Sequence, residues 1–281
     1  MTNVAVVTGC SSGIGYETAL QLAKEGYKTY ATMRDLNKRF TLEQSAQKEN
    51  LDLKVLQIDV NLQNTIDSAI EFIVSESGQI DVLVNNAGYG MMGSIEDLSI
   101  DEIKQQFETD FFGPIRMIKA VVPIMRKQNS GRIINVSSIA GQIGFAISSA
   151  YVSSKFALEG LTDSLRQELQ PFGIHLSLIE PGVVKTNFHK NMRVASKSHE
   201  SSYKEMTEQI VTQAKTLFEK GIEPEYVAKN IIDILKETNP LPRYPIGEDA
   251  ELLLEEKSRR NGIEFEKYIQ EVFKDVLSFS E

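Results

Sequence analysis

The sequence has little cysteine and histidine and no long apolar run. Cys10 is its single cysteine, so no internal disulfide can form. The three histidines, His175, His189 and His199, show no metal-ligand spacing with Cys10 or with acidic residues, and we expect no metal site. No stretch approaches the roughly 20 consecutive apolar residues that a membrane-spanning helix needs. We therefore expect a chain without a disulfide, a metal ion or a membrane span.

Positive charge is also scarce. The chain has 30 Lys and Arg against 39 Asp and Glu, which gives a formal net charge of −9 at pH 7. Because nucleic acids and anionic lipids attract Lys and Arg, we expect neither as a partner. Residues 1–3 lead directly into the apolar run at residues 4–7, without the basic and long apolar regions of a secretory signal. These observations favour a cytoplasmic protein that acts on a small molecule.

The first 180 residues alternate short apolar, β-branched runs with longer helix-compatible stretches. This alternation is typical of repeated βαβ units and a parallel sheet. The predicted strands cover residues 4–8, 28–33, 53–58, 80–85, 132–137 and 174–179. The predicted helices cover residues 14–25, 36–49, 62–77, 100–127 and 151–170. Several strands are apolar throughout, which indicates cover on both faces. We predict an α/β fold with a doubly wound parallel sheet between two helical layers.

The composition changes after residue 186. Residues 187–223 are rich in Lys, Ser, Glu and Gln with scattered Met and Phe, and we predict a mobile helical flap. Residues 224–281 form a predicted C-terminal helical extension, with a helix at 224–237, a short strand near residues 243–244 and acidic amphipathic helices at 248–279. With residues 1–186 as the cofactor-binding and catalytic core, we expect a single domain of 281 residues.

A glycine-rich turn follows the first predicted strand. Residues 8–15 read Thr-Gly-Cys-Ser-Ser-Gly-Ile-Gly and run into the first predicted helix. Glycine lets the backbone approach phosphates closely, and a helix N-terminus presents unpaired N–H groups and a positive dipole end to them. The spacing differs from GxGxxG. We interpret this turn as a pyrophosphate site, with Cys10 as a small packing residue and not a nucleophile.

A second group of residues is informative through its position. Tyr151 and Lys155 open a predicted helix, so these i and i+4 side chains project from the same face. Ser138 follows a predicted strand, at the edge where open parallel sheets place their ligands. A Tyr and Lys four residues apart are common by chance, and it is this context that indicates a site.

These motifs together resemble the short-chain dehydrogenase/reductase family over about residues 3–190. The glycine-rich turn, the Asn-Asn-Ala-Gly run at residues 85–88, Ser138, Tyr151, Lys155 and the Pro-Gly pair at 181–182 occur in the order of that family. The turn, with residues 31–35, is also similar to the hydroxysteroid and retinol dehydrogenase branch. The resemblance implies a Rossmann-type fold and an oxidoreductase that interconverts a carbonyl and an alcohol by hydride transfer.

The resemblance also implies a role for each catalytic residue. Tyr151 donates a proton in reduction and accepts one in oxidation, and Ser138 orients the substrate oxygen. Lys155 favours the phenolate and bonds the nicotinamide ribose. Asp110 stands where the family usually carries an Asn that holds a water in the proton relay. If that role rests on the main-chain carbonyl at a helix kink, Asp retains it; if it needs the amide N–H₂, a carboxylate cannot replace it.

The remaining cofactor contacts also come from the resemblance. The positions that match the family's cofactor site, in addition to Tyr151 and Lys155, are Gly9, Ser11, Ser12, Gly13, Ile14, Gly15, Arg34, Asp59, Val60, Asn86, Ala87, Gly88, Pro181, Gly182, Val184 and Thr186. Asp59 matches an adenine contact, but a helix N-cap explains it equally well. Asn85 is expected to be mainly structural.

The end of the second predicted strand favours NADP(H) over NAD(H). An NAD enzyme carries a carboxylate there for the 2′-hydroxyl, and an NADP enzyme carries a cation for the 2′-phosphate. Here Met33 occupies the acidic position and Arg34 follows, while Ser11 and Ser12 can add hydrogen bonds. Asp35 lies one residue too far along and is expected to cap the next helix.

Other functions stay open on the sequence. A non-catalytic NADP(H)-sensing protein could use the same fold, and so could an epimerase or dehydratase. Met91, Met92, Phe145 and the flap around residues 188–192 could form an apolar substrate pocket, although such residues more often fill a core. The resemblance further implies a homodimer or homotetramer, assembled through the helices at 100–127 and 151–170.

Overall fold

A computed structural model describes residues 2–272 of the chain, and its centre is a seven-stranded parallel sheet. The strands, including two short ones outside this sheet, are β1 (Val4–Val7), β2 (Lys28–Met33), β3 (Leu53–Gln57), β4 (Val82–Asn85), β5 (Met91–Met92), β6 (Gly131–Val136), β7 (Ile174–Pro181), β8 (Arg193–Val194) and β9 (Arg243–Ile246). The order across the main sheet is β3-β2-β1-β4-β6-β7-β9. The winding reverses between β1 and β4, and their carboxyl ends mark the place where such sheets bind ligands.

Helices cover both faces of this sheet. They are α1 (Gly13–Lys24), α2 (Phe40–Lys48), α3 (Gln63–Ser77), α4 (Ile100–Phe107), α5 (Gly113–Gln128), α6 (Ser149–Leu169), α7 (Phe188–Asn191), α8 (Lys204–Lys220), α9 (Pro224–Lys236), α10 (Glu248–Arg259) and α11 (Gly262–Val272). Buried residues of α1, α2 and α9 pack in one core, and those of α3 and α5 pack in a second. The predicted three-layer α/β/α architecture is confirmed.

The central strands are apolar at consecutive positions because each feeds both cores. In β1, Ala5 and Val7 belong to the core with α1, whereas Val4 and Val6 belong to the core with α3. All four side chains are at most 2% exposed. Since successive strand residues point to opposite faces, a sheet covered on both sides requires an uninterrupted apolar run.

The prediction of one continuous helix at residues 100–127 is wrong. A π-helical segment, Glu108–Phe112, separates α4 from α5. The Gly113 amide donates to the carbonyl of Glu108, five residues back, and Pro114 has no N–H to donate to the carbonyl four residues before it. The wider turn therefore accommodates a position where an α-helical hydrogen bond cannot form.

The predicted flap at residues 187–223 is only partly helical. It holds α7, β8 and α8, and β8 pairs in parallel with β5 in a separate two-stranded sheet. Two-residue strands have no periodic pattern, so the sequence did not indicate them. This pairing attaches the flap to the loop that follows β4.

The C-terminal elements follow the predicted order. Helix α9 packs against α1, and β9 joins the edge of the main sheet beside β7. Helices α10 and α11 occupy most of the predicted helical tail, and the predicted residues 273–279 lie outside the described residues. Within residues 2–272, no helix combines the length and apolar character needed to cross a bilayer.

Candidate active site

The loop after β1 forms a tight turn that only glycine can fill at several positions. Gly9 and Gly13 have φ of +74° and +65°, a region that strains residues with a side chain. A Cβ on Gly9 would lie 2.8 Å from Cα of Ala87, and one on Gly15 would lie 2.3 Å from Nδ2 of Asn86. The backbone at the carboxyl ends of β1 and β4 is therefore in close contact.

The N-terminus of α1 opens at this turn. Ser12 is the N-cap residue, and its side chain makes no hydrogen bond to the amides of the first turn. Those amides are consequently free to bind an anion, and the dipole of a 12-residue helix adds to the attraction. The structure places at this turn the predicted residues Gly9, Ser11, Ser12, Gly13, Ile14 and Gly15.

Asn86 and Thr8 hold the turn in place. The Thr8 hydroxyl accepts hydrogen bonds from the amides of Asn86 and Ala87, both at 3.0 Å. The Asn86 side chain donates to the carbonyl of Thr8 at 2.9 Å. Asn85 is buried and donates to Asn135 Oδ1 at 2.8 Å, in the structural role expected for it. Thr8 was not among the predicted site residues, because a single hydroxyl at a strand end has no distinctive pattern.

The end of β2 presents one exposed cation. The Met33 side chain is buried and Arg34 is exposed. The Asp35 carboxylate accepts a hydrogen bond from the Asn37 amide at 3.0 Å and caps a short 3-10 turn, as predicted. With Asp35 engaged in this cap, Arg34 is the charged side chain at the strand end that is available for a ligand.

Asp59 follows β3 and caps a loop. Its carboxylate accepts a hydrogen bond from the amide of Asn61 at 3.0 Å, whereas the N-cap of α3 is Leu62. The helix N-cap interpretation of Asp59 is therefore wrong. The neighbouring Val60 side chain is buried, and it packs so closely on Gly113 that a Cβ there would lie 2.9 Å from Val60 Cγ2.

Ser138 begins a short 3-10 turn after β6. Its hydroxyl accepts a hydrogen bond from the Ala140 amide at 3.1 Å, and its carbonyl accepts one from the Gly141 amide at 2.8 Å. The Ser138 side chain is half-buried and lies near the Tyr151 phenol, where it counteracts the burial that raises the pKa of Tyr151. The structure thus brings together two of the predicted catalytic groups.

Lys155 lies one helical turn after Tyr151 on α6. Its ammonium donates to the carbonyl of Val136 at 3.1 Å and lies 5.6 Å from the centre of the Tyr151 ring. The Lys155 side chain is 7% exposed. A nearly buried ammonium needs compensating partners, and it has them on two sides.

The second partner of Lys155 is Asp110. The distance from Lys155 Nζ to Asp110 Oδ2 is 3.3 Å, and the Asp110 side chain is fully buried. Asp110 Oδ1 accepts a hydrogen bond from the Tyr89 amide at 3.2 Å. The π-helical segment carries Asp110 into the site, where it contacts Lys155 through its side chain.

Burial and neighbouring charges shift the pKa values of Tyr151, Lys155 and Asp110 in opposite directions. Burial raises the pKa of Tyr151, and the Lys155 ammonium partly offsets this effect. Burial lowers the pKa of Lys155, but Asp110, Tyr151 and Glu159 together outweigh this effect, so the pKa is raised overall. Burial raises the pKa of Asp110 against the effect of Lys155. The sequence anticipated the direction of the lysine's influence on the phenol, but not that burial exceeds it.

The loop after β7 is fixed by α10 and by the glycine-rich turn. The Val183 amide donates to Asp249 Oδ2 at 2.7 Å, and a Cβ on Gly182 would lie 2.2 Å from the Asp249 carboxylate. A Cβ on Gly13 would meet the Thr186 methyl at 3.0 Å. Of the predicted residues Pro181, Gly182, Val184 and Thr186, the structure thus places Thr186 beside the turn after β1 and Gly182 against Asp249 of α10. Asp249 is distant in sequence, and no local pattern indicated it.

Phe188 packs over the ring of Tyr151, the predicted proton donor. Its ring centre lies 5.9 Å from that of Tyr151 and 5.7 Å from that of Phe218 on α8. A Cβ on Gly90 would lie 3.2 Å from the Phe188 ring. The first residue of the flap helix therefore forms an apolar wall over the site.

Met91 and Met92 are core residues. They are 2% and 6% exposed, and Met91 packs in a cluster with Leu98, Ala150 and Ala195. Of the two fates considered for this pair, the structure favours packing.

Cys10 is a buried thiol. Burial raises its pKa to about 12, and its sulfur lies 3.2 Å from the carbonyl of Val7. A thiol so far from ionisation is not a nucleophile at neutral pH. Its expected packing role agrees with this environment.

The chain is similar to known proteins in sequence and in structure. The model of the family described as short chain dehydrogenase matches residues 3–197. Retinol dehydrogenase 8 of Bos taurus is 37% identical over 246 residues, which cover 84% of this chain and 78% of the relative. A short-chain dehydrogenase from Streptomyces avermitilis has a similar structure, with a TM-score of 0.82, 29% identity and coverage of 98% of both chains.

A metagenomic short-chain oxidoreductase, solved in complex with NADP, is also similar. Its TM-score is 0.70 at 26% identity, and the match covers 87% of this chain and 96% of that one. The similarities extend over the sheet, the glycine-rich turn and α6. The chain belongs to the short-chain dehydrogenase/reductase family and is an oxidoreductase of that family.

Proposed function

We propose that this protein is an NADP(H)-dependent enzyme that interconverts a carbonyl and an alcohol. The observation that carries the proposal is the convergence of Ser138, Tyr151 and Lys155 at the carboxyl end of β6, on the same edge of the parallel sheet as the N-terminus of α1. The centre of the Tyr151 ring lies 5.6 Å from Lys155 Nζ, and Ser138 is close enough to the phenol to influence its pKa. A non-catalytic nucleotide sensor would not need a proton donor, an orienting hydroxyl and a cation in one cleft.

The residues present fit a dinucleotide. The glycines after β1 leave a cradle that a Cβ would fill, and the uncapped amides of α1 suit a pyrophosphate. When bound there, the nicotinamide dinucleotide supplies or accepts the hydride. Asn86, Ala87 and Gly88 border the cradle from β4, and residues 181–186 border it from β7.

The protein's own groups handle the proton. In reduction, the Tyr151 hydroxyl donates its proton to the oxygen of the developing alkoxide while Ser138 holds that oxygen by a hydrogen bond. In oxidation, the Tyr151 phenolate accepts the proton from the alcohol. Because burial raises its pKa, Tyr151 keeps its proton at neutral pH and is poised as an acid.

Asp110 adjusts this chemistry through Lys155. The carboxylate 3.3 Å from Nζ favours the ammonium form of Lys155, and its charge also raises the pKa of Tyr151. A neutral Asn at this position would do neither. We infer that Asp110 keeps the phenol protonated over a wider pH range.

The environment of Arg34 supports NADP(H) over NAD(H). An exposed guanidinium follows β2, and a buried methionine occupies the position of the ribose carboxylate of NAD enzymes. The substrate is proposed to be fairly apolar, since Phe188 and Phe218 form the wall of the cleft. The similarity to retinol dehydrogenase 8 agrees with this substrate class.

A homodimer or homotetramer completes the proposal. Phe112 and Phe156 lie on the segments expected to form the subunit interface, and both are more than 40% exposed. Burying these rings between subunits would remove apolar surface from water. Light scattering of the purified protein gives the assembly state directly.

Replacement of Tyr151 by Phe removes the proton donor and keeps the ring. We expect kcat for carbonyl reduction to fall about 10²- to 10⁴-fold, because that is the usual contribution of a general acid. NADPH binding, followed by fluorescence titration, should change little. The matched control is Tyr226→Phe on α9, whose side chain is exposed and remote. Binding of NADPH without consumption by any carbonyl in the wild type would instead favour a sensor.

Replacement of Arg34 by Ala tests the nucleotide preference. Loss of a charge-assisted hydrogen bond of about 1.5–3 kcal/mol predicts a roughly 10- to 150-fold lower kcat/KM for NADPH. The value for NADH should stay nearly constant. Arg39→Ala is the control, because Arg39 is exposed and pairs with Glu43. Equal use of both nucleotides by the wild type would contradict the assignment.

Replacement of Asp110 by Asn tests the charge at this position. In alcohol oxidation the phenolate is the active form, so the rate rises with pH through the pKa of Tyr151. Since the Asp110 charge raises that pKa, its removal should shift the rising limb of the pH–rate profile to lower pH. Asp101→Asn, at an exposed carboxylate of α4, is the control. An unmoved limb would mean that Asp110 contributes nothing distinctive.

A homologous series of 2-alkanones tests the apolar substrate. Each buried methylene is worth about 0.8 kcal/mol, which predicts roughly a fourfold rise in kcat/KM per added carbon until the cleft is filled. Hydroxylated ketones of the same length serve as controls. Better turnover of small hydrophilic carbonyls would reject the assignment.

A further inference from the structure

A cluster of three carboxylates and one guanidinium lies beneath the turn that carries Ser138. Arg243 of β9 holds the cluster together: its Nε lies 2.9 Å from Glu159 Oε2 and 3.5 Å from Glu180 Oε1, and its Nη2 lies 2.7 Å from Asp163 Oδ2. Asp163 is half-exposed, whereas the side chains of Glu159 and Glu180 are 7% and 0% exposed. One cation therefore serves two buried carboxyl groups.

The two buried carboxyl groups contact the catalytic turn directly. The Gln142 side chain, at the end of the 3-10 turn that Ser138 begins, donates a hydrogen bond to Glu180 Oε1. A Cβ on Gly141 would lie 2.8 Å from Glu159 Oε1 and 2.7 Å from Ser137 Oγ. Gly141 of the turn thus packs against Glu159, and Gln142 is hydrogen-bonded to Glu180.

Electrostatics does not allow both groups to be charged at low cost. Two like charges in one buried site disfavour ionisation, and Arg243 already shares its charge with Asp163. Burial and the charge of Glu159 raise the pKa of Glu180 to about 7. Glu180 Oε2 and Glu159 Oε1 are both buried and have no hydrogen-bond partner among the described residues, so a second carboxylate charge here would lack compensating donors.

Other charged groups face the cluster without neutralising it. On α6, Arg166 donates to the carbonyl of Leu176, and Lys155 is paired with Asp110. On α10, the Lys257 ammonium donates to the carbonyl of Gln142. None of these three cations forms an ion pair with Glu159 or Glu180 among residues 2–272.

Glu159 is also aligned with the catalytic pair. Tyr151, Lys155 and Glu159 follow one another at four-residue spacing on α6, so their side chains lie along one helix face. The negative charge of Glu159 contributes to the raised pKa of Lys155. A change in the charge of the cluster therefore changes the pKa of Lys155 as well as the surroundings of the turn that carries Ser138.

We propose that Glu159 and Glu180 share one proton, carried by Glu180, and that this proton holds the Ser138 turn in its active geometry. Above neutral pH the proton leaves to solvent, and a second buried carboxylate repels Glu159 under the turn. Glu180 and Glu159 are positioning residues, since they act through Gln142 and Gly141. The catalytic part of this proposal rests on the carbonyl reductase activity proposed above.

The test compares pH profiles of the wild type and Glu180→Gln. A glutamine mimics the protonated carboxyl and cannot ionise. The ratio of wild-type to variant kcat/KM for carbonyl reduction should fall up to about tenfold between pH 6 and pH 8, as for loss of one proton with a pKa of about 7. The titration of Tyr151 does not enter this range, because its pKa is raised above the ordinary value of about 10.

Two further variants locate the proton. Glu159→Gln removes the anion that raises the pKa of Glu180, so the step should move to lower pH. Asp163→Asn changes a half-exposed partner of the same arginine, and the step should remain. A constant ratio across this range, or a step unaffected by Glu159→Gln, would overturn the proposal while leaving the proposed function intact.

Infrared difference spectroscopy tests the shared proton without turnover. Ordinary carboxyl groups are already ionised at pH 6, so a carboxylic acid C=O band at this pH reports an unusual group. The wild type should show such a band at pH 6, and it should disappear by pH 8.5. The band should persist in Asp110→Asn and be absent from Glu180→Gln. Its absence from the wild type at pH 6 would refute the shared proton even if Glu180→Gln fails to fold. Absence of carbonyl reduction with the band present would refute only the proposed function.

Discussion

The buried ion pair between Lys155 and Asp110 connects the three parts of the molecule that meet at the active site. Lys155 belongs to α6, Asp110 to the π-helical segment, and the carbonyl of Val136, which also binds the ammonium, to the end of β6. Each partner is desolvated, so removing one would leave the other buried and uncompensated. The additional bonds from Val136 and the Tyr89 amide offset part of the desolvation cost. The position of the catalytic phenol depends on this arrangement, because Tyr151 lies on the same helix one turn away.

Local sequence was sufficient for most of the sheet. A strand such as β1 must be apolar at every position because it faces two cores, and that run is visible without a structure. The glycine-rich turn was equally clear, since Gly9 and Gly15 have no room for a side chain. Such features depend on neighbours in sequence or on a steric requirement at one residue.

Contacts between distant residues were not predictable in the same way. Asp249 fixes the loop at Val183 across 66 residues, and Gln142 reaches Glu180 across 38. The role of Asp110 was also visible only in the structure. The sequence showed an acidic residue where the family usually carries an Asn, but its partner Lys155 is 45 residues away. Helix periodicity missed the π-helical segment for a different reason: it follows apolar spacing alone, whereas the interruption comes from Pro114, which is visible in the sequence. Charge pairing between distant residues is set by the assembled fold.

The π-helical segment allows the two helices that it joins, α4 and α5, to turn their buried faces in different directions. Each residue of a regular α-helix turns the chain by about 100°, so one additional residue in a widened turn rotates everything beyond it by that amount. Without this additional residue, α5 would begin about 100° further back around the helix axis. The buried face of α5 and the direction of the Asp110 side chain could then no longer both be kept. The irregular turn therefore allows α5 to bury its apolar face in the hydrophobic core while Asp110 faces Lys155.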